Sequence, residues 1–73
     1  MSNLVDARGL SCPQPVMMTL NSIKKAKKGD IVILVDTDTA RENVSRAAGS
    51  QGWKVVEVQP EGEGYRITVR KDG

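Results

Sequence analysis

"GDIVILVDTDTARENV", residues 29–44, sets two structural periods back to back. Ile31 to Val35 is an unbroken aliphatic run, β-branched at every position but Leu34. Such a run suits a central strand, paired on both edges or covered on both sides. Directly after it, Thr39 is followed three residues later by Glu42, which reads as a capping box and predicts a helix beginning near Ala40. The apolar stripe of that helix is Ala40, Val44, Ala47 and Ala48, and Gly52 is placed to stop it. A strand that feeds a helix without a long linker is the unit of an α/β fold.

The chain on either side completes the pattern. Asn3 to Ala7 is a short candidate strand, broken by Arg8-Gly9. Pro13 and Pro15 then stand where a helix can open, because the first N–H groups of a helix have no intrahelical acceptor. Val16, Leu20 and Ile23 recur at helical spacing with Met17 beside them, and Lys24, Lys25, Lys27 and Lys28 close the segment before Gly29. Lysines in a last turn complement the negative end of the helix. Downstream, "WKVVEVQ" (53–59) and "YRITVRK" (65–71) flank "PEGEG", a turn with two glycines. Tyr65, Ile67 and Val69 alternate with Arg66, Thr68 and Arg70, giving one buried and one wet face.

The order is β-α-β-α-β-β. The first two strands are expected to be parallel through a right-handed crossover and the last two to form an antiparallel hairpin. The fold class is therefore α/β, a two-layer sandwich of a four-stranded mixed sheet with both helices on one face. Its expected core is Val16, Leu20, Ile23, Ile33, Val35, Val44, Ile67 and Val69.

Composition bounds the function. Seventy-three residues make one domain, 1–73, with 38% hydrophobic and 27% charged residues, a globular composition rather than a disordered one. With Trp53 and Tyr65 as the only aromatics, the core is aliphatic and too small to enclose a large cofactor cavity, so no cofactor is expected. A net charge of +2 is too near balance to imply nucleic acid, and no aromatics are interleaved with the lysines. No apolar stretch at the N-terminus has the length of a signal peptide or membrane span. A monomeric, cytoplasmic protein with a free thiol is the simplest expectation.

That thiol is Cys12, the single cysteine, in "GLSCPQPVMM" (9–18). If Cys12 is the N-cap, Pro13 is the first helical residue and the sulfur faces the N–H of Gln14. If instead the residue before Pro15 avoids the helical region, Gln14 becomes the cap and Cys12 sits on a rigid loop ahead of it. Either way the positive helix end lowers the thiol pKa by up to about one unit, enough to raise the thiolate fraction. The plain alternative is that Cys12 is packing filler. A dithiol oxidoreductase needs a second cysteine, and a cysteine protease or a Cys/His zinc site needs a histidine; the chain has neither. A lone activated thiol completed by a partner protein survives.

Other marked residues have plainer readings. Lys24 to Lys28 reads as a solvated helix end that could also dock an acidic partner. Asp36 and Asp38 lack a third ligand, so no metal site is expected and turn formation with helix capping is the reading. Of Met17 and Met18, one belongs to the core and the other to an adaptable contact surface. Arg66 and Arg70 read as solvation.

"DARGLSCPQPVMM", Asp6 to Met18, resembles the signature of the TusA/SirA family of small sulfur-trafficking proteins, whose hallmark is a Cys-Pro-x-Pro element opening the first helix. The resemblance extends through "KKGDIVILVDTD" to "YRITVRK". "TARENVSRAAGSQGWKV" is similar in particular to the amino-terminal domain of YedF-like proteins, associated with selenium metabolism. The resemblance implies the same two-layer sandwich, with Cys12 carrying sulfane sulfur as a persulfide. Asp6, Gly9, Pro13, Gln14 and Pro15 would support the motif, and Met17, Met18, Lys24 and Lys28 would contact partners. It implies a donor such as a cysteine desulfurase or rhodanese-like protein and an acceptor protein thiol, hence a carrier dependent on a partner enzyme. The reading from another class is a binding or redox-regulatory module in which Cys12 carries no sulfur. YedF-like chains usually continue into a second domain and this sequence ends at Gly73, which leaves a stand-alone carrier and an excised domain both open.

Overall fold

A computed structural model describes residues 3–10, 14–26 and 29–71. The elements are β1 (Asn3–Asp6), α1 (Gln14–Ala26), β2 (Gly29–Val35), α2 (Asp38–Ser50), β3 (Lys54–Glu61) and β4 (Gly64–Lys71). The sheet order is β1-β2-β4-β3, with β1 parallel to β2 and the other pairs antiparallel. The Ile31–Val35 run is thus the interior strand it was read to be, paired along both edges.

Residues opposite one another in a ladder share a face. Val5 pairs Ile33, which pairs Ile67, and Ile31 pairs Val69, which pairs Val55. These side chains form one cluster with Ile23 of α1 and Ala40, Val44 and Ala48 of α2, so both helices cover the same face. Each fully buried valine or isoleucine contributes about 1.5–3 kcal/mol of burial free energy. On the other face lie Leu4, Val32, Leu34, Arg66, Thr68 and Arg70.

Four expectations shift. In α1 the fully sheltered positions are Pro15, Thr19 and Ile23, whereas Val16 and Leu20 are only partly buried. A threonine can occupy the centre of the stripe because its hydroxyl donates to the Pro15 carbonyl at 2.8 Å, leaving no unmet polar group. In α2 the N-cap is Thr37, not the Thr39 of the expected capping box. The Thr37 hydroxyl oxygen accepts from the Ala40 N–H at 3.0 Å, and the helix starts at Asp38. The buried stripe there is Ala40, Val44 and Ala48, with Ala47 half-buried at its side. The hairpin turn is shorter than "PEGEG": the strands reach Glu61 and Gly64, leaving Gly62 and Glu63 at the bend, with Gly62 at φ +61°.

The end of α2 is as expected at Gly52, and it explains Trp53. Gly52 at φ +82° donates its N–H to the Gly49 carbonyl while the Trp53 N–H reaches the Ala48 carbonyl. This paired termination brings the residue after the glycine back against the last turn. Trp53 and Ala48 are both buried in the core, so the cap also seals one end of the molecule.

Candidate functional site

β1 and β2 are parallel, so their C-terminal ends lie together, and both helices start from that end of the sheet. Ala7 extends the ladder by donating its N–H to the Leu34 carbonyl at 2.9 Å. The chain then turns. Asp6 accepts from the Arg8 backbone N–H (3.2 Å), from Arg8 Nε (3.0 Å) and from Arg8 Nη2 (2.9 Å). These bonds, side-chain first, hold the Asp6 carboxyl at about 2, well below its ordinary 3.8. Gly9 follows at φ +79°, a left-handed conformation that side-chain-bearing residues rarely adopt. Its N–H donates to Asp36 Oδ2 at 2.7 Å, across 27 positions of sequence. Leu10 packs against the core, and the described chain resumes at exposed Gln14 and buried Pro15.

Of the residues read as functional, Asp6 and Gly9 shape the turn ahead of the motif. Gln14 and Pro15 open α1. Cys12, Pro13 and Lys28 lie outside the described residues, and with them the question whether Cys12 caps α1 or precedes it. The methionines divide: Met18 is half-buried against the core, and Met17 is 57% exposed. Met17, Leu20, Asn21 and Lys24, one stripe of α1, line with Gln51 a groove of about 320 Å³.

Asp36 and Asp38 do not cap α2, where Thr37 does. Asp36 holds Gly9, and Asp38 accepts the hydroxyl of Tyr65. That bond, with the charge of Asp38 and partial burial, raises the Tyr65 pKa above 10.0, and Arg41 opposes the rise. The Arg41 guanidinium carbon lies 5.0 Å over the Tyr65 ring. Its buried Nε has no hydrogen-bond partner and stands 3.8 Å from Asp38 Oδ1. The three residues Asp36-Thr37-Asp38 therefore tie the turn after β1, the start of α2 and the start of β4 to one another. An aspartate after a strand was visible in the sequence; its distant partner was not. At the opposite end of the sheet Arg70, read as a solvated residue, forms a two-pronged ion pair with Asp30, its cross-strand partner (2.6 and 3.2 Å). The guanidinium holds the Asp30 carboxyl below its usual range.

The fold is a two-layer α/β domain whose single cysteine, Cys12, falls in the sequence between the pinned Gly9 turn and the start of α1 at Gln14. Residues 3–71 match the family model described as sulfurtransferase TusA. The chain belongs to the TusA family of sulfur carrier proteins. It is 33% identical over 69 residues to the sulfur carrier protein TusA of Pseudomonas aeruginosa, covering 93% of this chain and 87% of that one. Against the TusA of Pseudomonas putida the identity is 29% over 69 residues, covering 93% and 86%. A crystal structure of a SirA-like protein from Desulfitobacterium hafniense superposes with a TM-score of 0.87 at 25% identity, over the full length of both chains. Among the described residues, no helix is long and apolar enough to cross a membrane.

Proposed function

We propose that Cys12 is the sulfur-bearing residue of this carrier, and that it works by thiolate exchange with a partner's persulfide in the cytoplasm. In loading, the Cys12 thiolate attacks the outer sulfur of a donor cysteine persulfide. The new Sγ–S bond forms as the donor S–S bond breaks, and the electron pair leaves on the donor cysteine as a thiolate. The chain then holds Cys12–S–SH, with no net oxidation. Unloading is the same exchange, with an acceptor thiolate attacking the outer sulfur of Cys12 and releasing its thiolate. Exchange of this kind is fastest when the attacking thiol has a pKa near ambient pH, which a helix N-terminus favours without a general base.

The observation that carries this reading is that a sulfur carrier has to hold its cargo, and Cys12 is the one thiol of the chain. The donor is a cysteine desulfurase or a rhodanese-like protein. The stripe Met17, Leu20, Asn21 and Lys24 leads along α1 from the motif and supplies an adaptable apolar surface with a cationic end for docking. Incubation with a cysteine desulfurase and free cysteine should add one sulfur to the intact mass, removable by dithiothreitol. Cys12→Ala should lose that gain while its circular dichroism stays unchanged. A wild-type mass that several competent desulfurases leave unaltered would move the protein to the binding-module reading.

A further inference from the structure

The two edges of the sheet are built differently. β3, the long edge, opens on Lys54, carries a register shift between Val55 and Glu57, and has Pro60 near its end. A lysine, a bulge and a proline all keep an edge from pairing with another chain. β1, the other edge, reads Asn-Leu-Val-Asp and carries none of them. Ala7 donates its N–H toward β2, so by the alternation of a strand Leu4 and Asp6 direct their backbone N–H and C=O groups away from β2. Leu4 is 65% exposed, and with Ser22, Lys25 and Ala26 of α1 it lines a groove of about 290 Å³. The charge left over in this groove is positive. Lys25 forms no ion pair among the described residues, whereas the carboxylates of β1 and β2, Asp6 and Asp30, are held by Arg8 and Arg70.

We propose that the free edge of β1 is a docking site for an extended acidic segment of a partner protein, which adds as a further strand beside β1 and alongside α1. In such an addition main-chain bonds, here to Leu4 and Asp6, supply affinity, and alternate side chains supply specificity. Consecutive side chains of the added strand fall on opposite faces of the sheet. One set lies on the helix side against Ser22 and Ala26, where an acidic residue meets Lys25. The other set lies on the open face beside Leu4, where an aliphatic residue covers the exposed leucine. The segment that fits therefore alternates acidic and β-branched residues. A second copy of this chain fits less well. Its β1 has one acid, Asp6, already bonded to Arg8, and its β3 is guarded by the bulge and Pro60. The site uses neither Cys12 nor the stripe of Met17, Leu20, Asn21 and Lys24, so it stands apart from the carrier reading.

The test is an amide NMR titration of the full chain with a short capped peptide alternating valine and glutamate, beside a control alternating valine and lysine. With the glutamate peptide at millimolar concentration, the Leu4 and Asp6 amide protons should move downfield as they gain acceptors. The Ala26 amide should shift with them, while those of Met17 and Leu20 hold still. The lysine peptide should leave all of these in place. Lys25→Ala should weaken binding by up to about fivefold, the range of an exposed ion pair, and mainly at low salt. Lys25→Glu should reverse the preference between the two peptides. Leu4→Pro removes an outward N–H at an edge, where proline is tolerated, and should abolish binding. If Leu4→Pro does not fold, the two Lys25 variants, exposed on α1, decide. Leu4 and Asp6 amides that stay fixed, shifts confined to β3 or to the Met17 stripe, or equal binding of the two peptides would each overturn the proposal. So would β1 shifts that follow protein concentration without any peptide, since they would give the edge to a second copy.

Discussion

Asp6 and Arg8 stand two residues apart on an exposed turn, yet all three bonds between them are oriented by the backbone that joins them. Exposed ion pairs ordinarily contribute little, because ordering two long side chains offsets the attraction. Here the aspartate is held by its own peptide chain, and the carboxyl falls to about 2 from 3.8. A carboxyl depressed on folding adds stability above its unfolded value, and loses it as pH falls through its folded value. The Asp6–Arg8 contribution is thus complete at neutral pH and fades between 3.8 and about 2. Arg8→Ala should return the Asp6 midpoint toward 3.8, read by carboxyl-carbon NMR titration. A midpoint that stays near 2 in that variant would show that the backbone N–H, not the guanidinium, holds the charge.

At the scale of elements, the periods of the sequence were legible and the contacts between elements were not. The run Ile31–Val35 announces a central strand, paired on both edges or covered on both sides, because it is short, nearly all β-branched and bounded by Gly29 and Asp36. The tandem Gly49–Trp53 stop is readable only as far as Gly52; the burial of Trp53 depends on the turn that follows it. The phase of α1 was misread by one position, since Thr19 looked polar and its bond to the Pro15 carbonyl is invisible in composition. Likewise the Thr39–Glu42 spacing points to Thr39 as the cap, whereas Thr37 fills that place with no glutamate three residues on, its hydroxyl oxygen accepting from the Ala40 N–H. Asp36 shows the limit most clearly, because its partner Gly9 lies 27 positions away. Gly64 is a further case, reading in sequence as one of two turn glycines. A Cβ there would stand 2.0 Å from the Val35 carbonyl oxygen and 2.7 Å from the Asp36 Cα, so backbone must yield. Gly64→Ala should destabilise the fold by about 3 kcal/mol or more, as a lower urea midpoint at unchanged slope. It should also loosen the Gly9 amide, since the displaced atoms carry Asp36. An unchanged midpoint would mean that β4 can slide away from β2 at little cost.

Across the whole molecule, the side-chain ties and the lysines of α1 divide along the axis of the sheet. At one end the turn after β1, the start of α2 and the start of β4 are tied through Asp36, Thr37 and Asp38. Lysines collect at the other end of α1, where Lys24 and Lys25 occupy its last turn. The exposed stripe Met17, Leu20, Asn21 and Lys24 connects the two along the outer side of α1. A carrier that must meet both a donor and an acceptor needs a surface able to repack. Methionine offers that, being unbranched and polarizable, while a lysine at the rim steers by charge. Met17 is more than half exposed, so its replacement leaves no cavity, and Leu20 beside it is only partly buried. Met17→Asp should therefore raise the half-saturating donor concentration for sulfur loading about tenfold or more, by placing a charge at an apolar contact. Turnover at saturating donor, melting temperature and the alkylation rate of Cys12 should stay near wild type. Lys24→Ala should act in the same direction but mainly at low salt, because the steering is screened as ionic strength rises. A Met17→Asp protein that loads at wild-type donor concentrations would remove this stripe as the docking face and return it to solvated surface.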